Sequence, residues 1–293
     1  MNTHMKPMQR RILILAVGVA LALPGRAAVL LDDTWSDGKR TEQSLPARSA
    51  WFCSKGSALT AAANSMTLAI STGSIMAVTY FTTNDASPAQ LKVGDTLTAR
   101  FALTFTKVAA ANKSAAFRIA LCNFSTAQFS PKRVPEDKFS TGALGGGVDG
   151  YALFQNVCGT FGKSAPMDVR KHTTLGYKLL ATSDDWTSLG TSPASAEGFA
   201  GLADGTPYVL QFALQRTGSN SMAVAVNWSN TVSGATLAAS GTDNVATNFS
   251  FDGIAIRASG AGETAAKVTF TGLKIELTPA ATPSTPPPVA KHP

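Results

Sequence analysis

The sequence predicts an all-β protein made of two antiparallel sheets packed face to face. Three observations support this. Apolar residues recur at every second position over long stretches between residues 29 and 278. No segment carries the 3.6-residue apolar stripe of a long helix, and the Ala61–Ala63 and Ala109–Ala111 runs are short and unpatterned. Clusters of Gly, Asn, Asp and Ser separate the alternating runs.

The strands follow in order. Leu97, Ala99, Phe101, Leu103 and Phe105 alternate with Thr98, Arg100, Ala102, Thr104 and Thr106, so one face is apolar and the other polar. Phe117, Ile119 and Leu121 then alternate with Arg118, Ala120 and Cys122. Tyr208 to Leu214 and Met222 to Trp228 repeat the pattern, with Gln211, Gln215 and Asn227 at the polar positions. Ile254 and Ile256, Val268 and Phe270, and Leu273, Ile275 and Leu277 complete the series. The phase slips at Thr271-Gly272, which predicts a bulge. The turns fall at Gly94-Asp95, Thr217–Asn220, Gly241–Asn244 and Ser259–Gly262. No repeat or linker divides the middle of the chain. A single jelly-roll sandwich over residues 28–278 therefore suits it better than two tandem small sandwiches.

The ends read differently. Residues 1–27 hold a basic start and a twelve-residue apolar run from Ile12 to Leu23, too short to span a bilayer, which takes roughly 20. Gly25-Arg26-Ala27 places small residues as a signal-peptidase site requires. The expectation is a secretory signal cleaved after Ala27 and an exported protein with no integral membrane segment. Residues 279–293 are proline-rich and are expected to form an extended tail.

The formal charge is +7, but four basic residues and no acid lie in the leader. The rest of the chain lacks the dense basic stripe of a nucleic-acid binder. With 15 % charged and 44 % hydrophobic residues, the chain is neither a disordered polyelectrolyte nor a coiled coil. Cys53, Cys122 and Cys158 allow either one disulfide with one thiol left over or three separate buried thiols.

No complete catalytic motif is present. Glu42, Glu136, Glu197, Glu263 and Glu276 are widely separated, and neither Asp32-Asp33 nor Asp184-Asp185 puts two carboxylates on one strand face. His172 sits in the basic run Arg170-Lys171-His172, which reads as a solvated loop. No nucleophile elbow, phosphate loop or zinc spacing occurs. No cofactor is expected. A structural calcium is compatible with the class, although no Asp-x-Asp-x-Asp loop marks a site.

The stretch from Asp33-Thr34-Trp35 to Leu45-Pro46, then Ala50-Trp51-Phe52, Leu91–Phe105, Phe117–Ser125, Gly150–Phe154 and Phe251–Ile256, taken in order, resembles secreted bacterial concanavalin A-like jelly-roll proteins of the LamG and glucanase type. The resemblance covers most of residues 30–277. It implies a lectin- or laminarinase-like sandwich with a concave, glycan-facing sheet. Arg40-Thr41-Glu42 faintly resembles a run in alginate lyases, but the Gln-x-His strand of that family is missing.

Sugars stack their C–H faces on aromatic rings and pair their hydroxyls with Asn, Asp, Gln and Arg. The candidate ligand-binding residues are therefore Arg100, Arg118, Gln211 and Gln215 on outward strand faces, Trp186 in a polar stretch, and Tyr151 and Asn156 beside the glycine-rich segment Gly145–Gly147. Arg100 and Arg118 lie on consecutive strands and become neighbours if those strands pair; otherwise they are unrelated surface arginines. Trp186 either stacks on sugar or covers one end of the core, whereas Trp35, Trp51 and Trp228 read as core. The 125–150 segment is long and weakly patterned, as functional loops often are. The reading is a secreted, non-catalytic polysaccharide-binding sandwich. The alternatives are a divergent hydrolase or lyase and a structural surface protein.

Overall fold

The computed structural model describes residues 26–281 apart from 71–72, 112–113, 129, 142–143, 145, 163, 174–178, 181–183 and 261–263. Nearly all of the expected leader and most of the expected tail lie outside the described residues. The first half of the chain supplies β1 (Ala28–Asp33), β2 (Trp51–Cys53), β3 (Leu59–Ala62), β4 (Ser65–Ala69), β5 (Ile75–Tyr80), β6 (Ala89–Gln90), β7 (Thr96–Thr106) and β8 (Phe117–Asn123). The second half supplies β9 (Asp149–Gln155), β10 (Met167–His172), β11 (Trp186–Thr191), β12 (Pro207–Arg216), β13 (Met222–Asn230), β14 (Thr236–Asp243), β15 (Ser250–Phe251), β16 (Gly253–Ala258) and β17 (Lys267–Thr278).

The strands form an all-β antiparallel jelly-roll sandwich. Sheet I runs β14-β13-β12-β7-β17-β4-β3, with β1 also on β17. Sheet II runs β11-β10-β9-β8-β16-β5-β2, and β6 and β15 make a short ribbon. The expected bulge is present: β17 loses register on β7 between Phe270 and Gly272.

The inner faces share one apolar core, which includes Leu97, Phe101 and Phe105 from sheet I and Phe117, Ile119 and Leu153 from sheet II. Trp35, Trp51 and Trp228 are buried, as the sequence predicted. Burying a polar group without a partner is costly, and the fold provides partners for several. Trp228 Nε1 donates to Gln155 Oε1 at 2.9 Å deep inside. Asp33 accepts from the Trp35 and Ser49 N–H groups at 2.8 and 2.9 Å and from Ser49 Oγ at 2.8 Å. That clasp holds Trp35 at a φ of 52°, which explains the Asp33-x-Trp35 spacing structurally. Cys53, Cys122 and Cys158 are three buried free thiols.

A second apolar cluster lies on the outer face of sheet II. Val78, Ala120, Ala152 and Phe154 pack there beneath Phe124, Val134, Leu144, Leu179 and Leu180. The described residues of the 124–148 segment therefore serve as a cover for the sheet. The cover is pinned by Arg40, whose guanidinium grips Asp137 at 2.6 and 3.0 Å, and by Arg133, which donates to the Thr82 carbonyl and lies over the Tyr80 ring.

A buried acid beside the Arg133 pin responds to pH. Asp252 is fully buried and accepts from the Phe124 N–H at 2.7 Å, while Arg133 stands 3.6 Å away. Burial pushes its carboxyl up to about 6, against the pull of the Phe124 N–H and Arg133. The folded chain thus holds this proton more tightly than the unfolded chain, whose carboxyl titrates near about 4. The Asp252 contribution to stability is greatest below about pH 4 and falls as pH rises to about 6. Asp252→Asn keeps an acceptor and removes the titration. Urea unfolding is expected to show this variant gaining about 2 kcal/mol on the wild type between about pH 4.5 and 7. A gain in the opposite direction would contradict this account.

Candidate functional site

The sequence candidates do not converge. The chain leaves sheet I after β7 and enters sheet II at β8, so Arg100 and Arg118 stand on opposite outer faces of the sandwich. The expected Arg100–Arg118 pair is corrected: consecutive strands of a sandwich need not be hydrogen-bonded neighbours. Arg118 is half-buried and has Arg257 as its cross-strand partner.

Trp186 is 3 % exposed, which corrects its use as an open stacking platform. It covers the second apolar cluster, with its ring centroid 4.6 Å from His172 and 5.9 Å from Phe154. Tyr151 points inward, and its hydroxyl donates to Asp243 Oδ2 at 2.8 Å. Asn156 is 8 % exposed, at the end of β9. His172 is also corrected: it ends strand β10, is buried, and its Nδ1 meets the Val148 carbonyl at 2.5 Å. Alternation shows which side of a strand a residue takes, but not whether a distant loop closes over that side.

That closure also corrects the expected concave, glycan-facing sheet. Phe124, Val134, Leu144 and Leu179-Leu180 pack over the outer face of sheet II. Sheet I keeps an open face, on which Asp32, Lys274, Arg100, Gln211 and Asn227 follow one another across four strand pairs. Gln215 lies on the same face, opposite Thr96. This surface holds depressions of about 140 Å³ each beside Arg100 and Gln211, and the row contains no aromatic ring.

Concavity and polar convergence meet instead at one end of the sandwich. There β9 begins, β10 ends, and β14 runs into the 244–248 turn. The cleft, of about 370 Å³, is lined by Thr126, Gly147, Asp149, Lys171, Thr173 and Thr247, with Val148, His172 and Val245 between them. Its floor is a charge cluster. Asp243, 2 % exposed, accepts from Tyr151 and binds Lys171 Nζ at 2.8 Å. The Val245 N–H donates to the other Asp243 oxygen at 3.0 Å. Burial pushes the Tyr151 phenol up, and the bond to Asp243 pushes it further. Asp149 Oδ1 accepts from the Gly150 N–H at 2.7 Å. Burial raises the Asp149 carboxyl, against the pull of that N–H, Lys171 and His172.

The acid inventory here is one accessible carboxylate, Asp149, beside one already neutralised, Asp243. Another cleft, of about 490 Å³ at Thr41, Phe52, Pro135 and Glu136, has its Asp137 locked onto Arg40. Arg40 is fully engaged there, and Glu42 is exposed on Lys39 and Arg48, so the lyase-like run builds no site. Among the described residues no group of three or more His, Cys, Asp or Glu could hold a metal ion. No helix among them is long and apolar enough to cross a membrane.

No family model matches the chain, and no curated protein matches it. Solved structures similar to it include peanut lectin, at 11 % identity and a TM-score of 0.48, covering 86 % of this chain and 98 % of that one. The endo-1,3-β-glucanase of Streptomyces sioyaensis is similar at 11 % identity and a TM-score of 0.46, covering 89 % and 99 %. Lectin I-B4 of Griffonia simplicifolia is similar at 8 % and 0.45, covering 86 % and 99 %. Structural neighbours thus include lectins and an endo-1,3-β-glucanase. The likeness is one of fold.

Proposed function

We propose that the protein binds carbohydrate without cleaving it, in the end cleft, as an exported protein. One observation carries the non-catalytic reading: the cleft offers a single accessible carboxylate, because Asp243 is buried and held by Lys171 and Tyr151. Hydrolysis with retention needs two carboxyl groups about 5 Å apart, one charged and one able to give a proton. Binding needs less. The Asp149 carboxylate accepts from sugar hydroxyls, and Thr126, Thr173 and Thr247 both donate and accept around it. The exposed Val245 side chain suits the C–H face of a sugar ring. The expected secretory signal fits this reading, because glycans of walls and matrices lie outside the cell.

Affinity electrophoresis of the protein through neutral and acidic polysaccharide gels tests the proposal. Retardation by at least one polysaccharide is expected, with no release of reducing ends. Asp149→Ala should weaken that retardation about ten-fold or more, the loss of a charge-assisted hydrogen bond. Free mobility in every gel, or sugar release abolished by Asp149→Ala, would overturn the proposal.

A further inference from the structure

The outer face of sheet II holds an arrangement of charge that the glycan cleft does not use. Arg257 on β16 stands directly opposite Arg118 on β8. Residue alternation puts both on the outer side, since Ile256 and Ile119 beside them belong to the inner core. Like charges directly across a strand pair repel, and desolvation makes the repulsion worse. Both residues are partly buried at the rim of the loop cover.

Among the described residues no carboxylate is paired with either guanidinium. Arg118 Nε donates to the Ala115 carbonyl at 3.0 Å and Nη1 to the Leu180 carbonyl at 2.7 Å, and its guanidinium lies 4.1 Å from the Phe154 ring centroid. Arg257 donates to Ser74 Oγ, and its Nε is buried without a partner. Next in the row beyond Phe154, Asp168 is taken by Arg170 at 2.6 Å and by Ser188 Oγ at 2.6 Å. Arg170 also lies over the Phe154 ring, 4.8 Å from its centroid, which adds a third cation to this end of the sheet. Burial first, then Arg257 and Arg170, pulls Arg118 down to about 10, which still leaves it charged at neutral pH. Two desolvated guanidiniums with no carboxylate among the described residues form an incomplete electrostatic set.

We propose that Arg118 and Arg257 form an oxyanion-binding site, taking a sulfate, phosphate or carboxylate group that bridges the two guanidiniums with the Ser74 hydroxyl beside them. Guanidinium forks match planar and tetrahedral oxyanions, and such charge-assisted bonds are the strong ones. The bridging anion would turn the like-charge contact into an attraction on both sides. The proposal stands on this geometry alone and does not depend on the glycan cleft.

The test is a thermal-unfolding titration of the protein with sodium sulfate, sodium phosphate and sodium glucuronate, each against sodium chloride at equal ionic strength. The expected result is a saturable rise of the midpoint with at least one oxyanion. Sulfate also stabilises proteins by exclusion from their surface, but that effect does not saturate and is the same in every variant. Arg257→Gln removes a side chain whose hydrogen bond goes to the Ser74 hydroxyl and should fold normally. Its apparent affinity should drop about ten-fold or more, and Arg118→Lys, which keeps charge but loses the fork, should drop too. A response to glucuronate alone would assign the site to a sugar carboxylate, and a response to sulfate or phosphate to a tetrahedral oxyanion. Asp149→Ala should respond like the wild type, which separates this site from the cleft. All three salts following the chloride line, or Arg257→Gln titrating like the wild type, would overturn the proposal.

Discussion

Asp243→Ala is expected to lower stability by about 3 kcal/mol and to abolish binding in the end cleft. The carboxylate is 2 % exposed and has three partners: Lys171 Nζ, the Tyr151 hydroxyl and the Val245 N–H. Removing it leaves an ammonium at the mouth of the sandwich and a phenol inside without their acceptor. Breaking a buried pair from one side costs about 3–5 kcal/mol, and partial exposure of Lys171 places this case at the lower end. Asp243→Asn keeps an acceptor for Tyr151 and should cost less, which separates the hydrogen bond from the charge. Urea midpoints of the two variants decide this; equal and small losses would mean that the cluster is not what holds the cleft together.

Gly190→Ala should be as damaging, for a steric reason. Where sheets I and II come together at β11 and β14, a Cβ on Gly190 would lie 2.0 Å from the Ser240 carbonyl oxygen. On the facing strand, a Cβ on Gly241 would lie 2.4 Å from the Leu189 carbonyl oxygen. Both obstacles are backbone, so no rotamer change relieves them. The edge strands must part, at a cost of about 3 kcal/mol, the upper end of overpacking. Parting them also moves the end of β14, and with it Asp243, so weakened cleft binding should accompany the lower unfolding midpoint. Wild-type stability in Gly190→Ala would show that the two edges do not approach so closely in solution.

Much of this architecture was legible from two-residue periodicity. Phe101, Phe105 and Phe117 were assigned to a core by their neighbours in sequence, and the phase slip at Thr271 marked the bulge. Burial of one strand face is a local property, repeated every second residue, so a single strand displays it. The candidate site was much less legible. Asp149, Lys171, Thr126 and Thr247 come from four separate segments, and Asp243 joins them across 92 positions from Tyr151. Asp149 sits beside the glycine-rich segment that the sequence singled out, and Lys171 lies in the basic run it also noted, but neither signal pointed to a shared cleft. The long 125–150 segment was noticed for its length, but its role as a cover depends on Phe124, Val134 and Leu144 reaching an outer face that periodicity cannot identify as covered.

The sequence by itself determined that the chain makes two antiparallel sheets, where the phase of β17 breaks, and that neither adjacent Asp pair puts two carboxylates on one strand face. The tertiary structure alone decided which strands became neighbours. It set Arg118 against Arg257 instead of Arg100, covered Trp186 and locked Asp243. The physical reason is range: alternation is enforced by the backbone within one strand, whereas pairing and loop closure are settled by which distant apolar surfaces bury each other.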